Sequence, residues 1–141
     1  MKNWDELEEQ VLSTSADADS LLTVSESVLE NWVEGRGLVP TMKKQEGFRL
    51  IALHSQGARG EPSFNACRET CREVAYHYNL LKSGGPEVGS ASKLAMMGFV
   101  AHHLLLFVRG KMEVAGLGEF CCSSKAVRSN DALIELAQSR G

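Results

Sequence analysis

Two thiols and an imidazole carry most of the chemical potential of this chain. Cys67 and Cys71 stand four apart in FNACRETCREVAYHYNL, residues 64–80. That spacing stacks two side chains on one face of a helix. His54 sits in the apolar segment before them and His102 in the one after. Thiolate and imidazole together suit a tetrahedral zinc ion, and facing helices of a bundle are places where such sites are built. One expectation is therefore a zinc site of His54, Cys67, Cys71 and His102. The competing expectation is that both cysteines are small core residues needing no cofactor, since free cysteine is among the most buried residue types.

The helical projection favours the core reading. Advancing about 100° per residue from Phe64 puts Cys67 and Cys71 at the centre of an apolar stripe with Val74, Ala75, Tyr78 and Leu81. Arg68, Glu69, Arg72 and Glu73 fall opposite. The same projection turns His54 inward between Leu50 and Ile51. On the third long segment it isolates a narrow strip of Ala91, Ala95, Gly98, His102, Arg109 and Glu113. That strip is either the solvent line of a buried helix or a place where small residues let another helix come close, with His102 at the contact.

A second thiol pair is adjacent, Cys121 and Cys122, followed by Ser123, Ser124 and Lys125. A nearby lysine lowers a thiol's pKa and raises its reactivity, so these are candidate redox thiols. The plainer reading has Phe120 and one cysteine tucked against the end of the bundle. No activated nucleophile, phosphate-binding glycine loop or paired-carboxylate site is evident, which points away from an enzyme. Nucleic acid is a weaker partner than protein. GFRLIALHSQG followed by FNACRETCREVAYHYNL loosely resembles a helix-turn-helix, with Arg59, Arg68 and Arg72 as phosphate contacts. Its connector is longer than the usual turn, and its second helix alternates Arg with Glu, which repels phosphate.

The elements that must position these groups read as helices, because alternating β-branched runs are scarce. Residues 3–12 suit a short acidic helix. STSADADS is a small-residue linker, after which Ser20 is expected to cap LLTVSESVLENWVEG, stopped by Gly35. Leu21, Val24, Val28 and Trp32 share its inner face. The next helix is expected over 42–57, weakened by Gly47. Ser63 is expected to cap Phe64 to Lys82, SGGPE to break the chain, a long helix to run from Val88 to Ala115, and DALIELAQ to form a last short one. The fold class is all-α: a compact helical bundle (20–141) on a central hydrophobic helix, with an acidic, mobile N-terminal arm (1–19).

Charge is uneven. Residues 1–40 hold two basic and nine acidic groups, residues 41–82 seven and four, and the remainder six and five. An acidic arm on a basic body is either a solvated terminus or a segment that folds back and masks the body. The first ten residues, MKNWDELEEQ, are acidic rather than apolar, so no export signal is read there; a cytoplasmic protein with reduced thiols is expected. The apolar run LAMMGFVAHHLLLFV is short of the roughly 20 residues a bilayer needs, so it reads as a core helix, not a membrane span. These readings converge on a non-catalytic regulatory module that binds another protein, with the metal or thiol sensor and the DNA-binding regulator as alternatives.

Overall fold

A computed structural model describes residues 1–83 and 90–117. Its elements are α1 (Trp4–Leu12), α2 (Ala18–Gly35), α3 (Arg49–Ala58), a 3-10 segment (Pro62–Cys67), α4 (Arg68–Ser83) and α5 (Ser90–Ala115). The fold is all-α, and the only β feature among the described residues is a single bridge between Gln45 and Phe48. α5 packs against α1, α2 and α4, and α2 also holds α1, α3 and α4. The expected helix at DALIELAQ and the thiols Cys121 and Cys122 lie outside the described residues.

Each boundary has a local cause, and several differ from the sequence expectations. Asp17, not Ser20, is the N-cap of α2. Its carboxylate accepts from the Ser20 N–H at 2.8 Å, while the Ser20 hydroxyl takes the Asp17 N–H at 2.9 Å, a reciprocal capping box. The helix closes at Gly35, but the left-handed residue is Gly37 (φ 81°). There the Leu38 N–H reaches back to the Val33 carbonyl at 3.1 Å, the six-to-one bond of a Schellman ending.

The helix expected over 42–57 begins only at Arg49. Glu46 (φ 56°) and Gly47 (φ 85°) are both left-handed, and Gln45 and Phe48 exchange two backbone hydrogen bonds of 3.0 Å across them. Two successive positive φ angles make the tight turn preferred in hairpins, which no helix can run through. Ser63 does not cap α4 either. Pro62 opens a 3-10 turn, and the Ser63 hydroxyl bonds to Glu61 at 2.7 Å.

The acidic arm is docked. Trp4, Leu7 and Val11 follow helical spacing and are buried in the main core; of the arm's larger apolar groups, Met1 and Leu12 are largely exposed. Buried Asn31 of α2 clasps the Lys2 backbone, accepting its N–H at 2.9 Å and donating to its carbonyl at 3.0 Å. Asp5 and Glu8 reach across to α5, where Arg109 meets Asp5 at 3.1 Å and His102 meets Glu8 at 2.7 Å. The arm lies against α2 and α5, and Trp4, Leu7 and Val11 are the residues that bury it there.

Candidate functional site

Aromatic stacking fixes the chain around the two helical thiols. Trp32 of α2 stacks on Phe64 with ring centroids 4.7 Å apart, and His54 of α3 stacks on the same Phe64 at 5.3 Å. α3 can come this close because residue 57 is glycine: a Cβ there would stand 2.7 Å from Trp32 Cδ1 and 3.0 Å from Phe64 Cε2. The Gly57 carbonyl then accepts from Trp32 Nε1 at 2.9 Å and from the Arg36 guanidinium at 2.8 Å. Lys111 of α5 secures the other side of the 3-10 turn through the Ser63 hydroxyl at 2.6 Å.

Within that frame Cys67, Cys71 and His54 converge. Both cysteines are reduced and buried, on the stripe the projection assigned to them. The Cys67 thiol donates to the Phe64 carbonyl at 3.3 Å, and His54 Nε2 donates to the same oxygen at 3.1 Å. Cys71 and His54 are the groups that act most on the Cys67 thiol. The hydrogen bond from Cys71 is the main cause that lowers the Cys67 pKa; His54 adds to it and burial opposes it. The Cys71 thiol is pushed up, first because ionising would forfeit its bond to Cys67 and then by burial. The pair therefore holds its first negative charge on Cys67 and keeps the proton on Cys71.

A cavity of about 20 Å³ approaches this cluster from outside, lined by Cys71, His54, Ser55, Arg68, Arg72 and Glu46 among others. Glu46 comes from the tight turn and Arg72 from the outer face of α4, and the two pair at 3.0 Å. Arg72 also meets Glu69 at 3.3 Å.

The four residues grouped by sequence as a zinc site separate. His102 is engaged by Glu8 at the α1–α5 contact. Among the described residues, no group of three or more His, Cys, Asp or Glu side chains is placed to hold a metal ion. The reason is the register of α5, which turns His102 toward the arm. Of the candidate phosphate contacts, Arg59 and Arg68 are exposed, while Arg72 is already occupied by two carboxylates.

The feature that sequence reading missed is the outer face of α5. Met97, Val100, Ala101, Leu104, Leu105 and Val108 turn into the bundle and are buried. Met96, Phe99 and Leu106 turn outward, 49%, 69% and 50% exposed. With exposed His103 they repeat at intervals of three and four, the spacing of a helix-packing seam. Beside Phe99 and His103 a depression of about 220 Å³ is bounded by Thr70, Glu73 and Val100. The signal was present in the sequence as an α5 apolar almost all round, which calls for cover on both sides. By length and composition, Ala91–Ala115 is the one helix among the described residues able to cross a membrane, and 33% of its apolar window is buried inside the bundle.

Comparison with protein-family models, curated proteins and solved structures finds no match.

Proposed function

We propose that the protein is a regulatory binding module, without catalysis of its own, that docks another protein on the outer face of α5. The observation that carries this reading is the exposed row Met96, Phe99 and Leu106. Large side chains aligned and open on one face mark interaction surfaces, whereas apolar residues scattered singly over a surface do not. The depression at Phe99 suits one apolar anchor from the partner, and the Glu73 carboxylate at its rim calls for a donor beside that anchor. An amphipathic helix carrying an apolar row and a flanking Lys or Arg has this chemistry. The inner face of α5 is packed on α2 and α4, which supports a water-borne partner over a lipid one.

The test is a paired substitution, Phe99→Asp with Leu106→Asp. Both sites are exposed, so the melting temperature should stay close to that of the wild type. Tagged wild-type protein recovered from its own cells should carry a partner in fixed stoichiometry, and the double variant should not. Equal recovery of the same partner by both forms would place the interface elsewhere. Loss of vesicle binding in place of a protein partner would assign the face to lipid.

A further inference from the structure

We propose that the loop joining α2 to α3, residues 37–44, is a membrane contact: it seats Leu38, Val39 and Met42 in the interface of an anionic bilayer, with Lys43 and Lys44 at the headgroups. The loop leads into α3, whereas α5 packs on α1, α2 and α4, and the inference is independent of the docking reading of the α5 face.

Three observations converge. The first is exposure. Val39 and Met42 are 84% and 79% exposed, and Leu38 is 44% exposed. Standing within one short loop, they form a cluster rather than apolar residues scattered singly over a surface. The second is charge. Residues 35–45, GRGLVPTMKKQ, hold three basic and no acidic groups, and Lys43 and Lys44 are exposed. The carboxylates at the base of the loop are already engaged: Arg49 holds Glu26 and Glu30, Glu26 also feels the Lys44 charge, and Arg72 holds Glu46. The third is a fixed backbone. The Gln56 side chain donates to the Val39 carbonyl at 2.8 Å and accepts the Thr41 N–H at 2.9 Å. Arg49 Nε donates to the Thr41 carbonyl at 2.8 Å. Held from behind, the loop presents its apolar side chains with little ordering left to do on binding.

Charge and size select the occupant. The lysines call for an anionic surface. Three apolar side chains fall well short of the roughly 800 Å² that a standard protein interface takes from each partner. A peptide adding to the loop as a strand also finds little to pair with. Gln56 occupies the Val39 carbonyl and the Thr41 N–H, and Pro40 has no N–H to give. A bilayer asks for less. Apolar insertion and headgroup attraction act together as two weak signals, so the contact is reversible and salt weakens it.

The test is flotation of the full chain with vesicles of phosphatidylcholine alone, or of phosphatidylcholine with about a third phosphatidylserine. Wild type should bind the mixed vesicles about tenfold or more better than the neutral ones, and added salt should release it. Val39→Asp with Met42→Asp should weaken binding by about tenfold or more, and so, separately, should Lys43→Glu with Lys44→Glu. All four sites are exposed, so the melting temperatures should stay close to that of the wild type. Phe99→Asp with Leu106→Asp should bind as the wild type does. Val39→Trp should show blue-shifted emission on the mixed vesicles, above a constant signal from buried Trp4 and Trp32. Wild type that does not bind, loop variants that bind equally well, or binding lost only in the α5 variant would each overturn the proposal. So would binding to polyglutamate in preference to the mixed vesicles, which would assign the loop to an acidic protein.

Discussion

His54 and Cys67 share one acceptor: the Phe64 carbonyl takes the imidazole Nε2–H at 3.1 Å and the thiol at 3.3 Å. The shared oxygen fixes the histidine tautomer with its proton on Nε2. It also holds that proton where it can turn to a Cys67 thiolate. His54→Ala removes a ring stacked on Phe64 and one partner of that carbonyl. The variant should lose about 2–4 kcal/mol of stability in denaturant titration. Its Cys67 thiol should also titrate at higher pH, read by ultraviolet thiolate absorbance. An unchanged thiol titration would show that the imidazole does not face Cys67.

The depressed Cys67 thiol makes stability depend on pH with a definite sign. Cys71 and His54 lower it to about 6, below the value of the unfolded chain. Between those two values the unfolded state binds the extra proton, so stability rises with pH. The contribution is complete above the unfolded thiol value and vanishes as pH falls through about 6. Wild type and Cys67→Ala should therefore differ least near pH 5 and increasingly more toward pH 8, in chemical denaturation at matched ionic strength. A gap that is constant with pH would mean that Cys67 stays protonated in the folded protein.

Gly57→Ala sets two effects against each other. Alanine favours a helix by about 1 kcal/mol over glycine. The added Cβ would meet Trp32 at 2.7 Å and Phe64 at 3.0 Å, and overpacking of a filled core costs about 1–3 kcal/mol. Both neighbours are buried and stacked on one another, so the clash should win. The expected result is net destabilisation with perturbed tryptophan fluorescence. A more stable variant would show that the seat of α3 is looser than described.

The N-terminal arm should be structural. Leu7 is 2% exposed, and Leu7→Ala at such a site costs about 2–5 kcal/mol. Deleting residues 1–13 also strips Asn31 of its two backbone partners and uncovers the α5 side of the core. A clear fall in the midpoint of cooperative unfolding is expected for both forms. Deletion without such a fall would mean that the arm adds nothing to the cooperative unit.

How much of this was legible in the sequence depends on whether local rules agreed with one another. The stripe from Phe64 through Val74 was readable because spacing and hydrophobicity point the same way, and the burial of Cys67 and Cys71 followed from it. Helix starts were less readable where two signals compete. Ser20 is a good N-cap residue, but Asp17 three positions earlier makes the reciprocal pair, and Ser20 becomes its partner. Gly47 was weighed as a weak point in a helix, when with Glu46 before it the chain turns sharply. The arm's acidity obscured Trp4, Leu7 and Val11, whose helical spacing is the better guide to burial. His102 can join the cysteines only if three helices share one register, and the rotation of α5 that pairs it with Glu8 instead is tertiary information.

The docking face on α5 is the central claim, and crosslinking from it is the most direct measurement. A photoreactive amino acid at position 103, between Phe99 and Leu106 on the outer face, is compared in living cells with the same residue at position 69 on the exposed side of α4. The account predicts one protein adduct from position 103 that is absent from position 69 and is abolished by Phe99→Asp. Adducts that are equal from both positions, or that map from position 103 onto this chain's own residues 118–141, would contradict it.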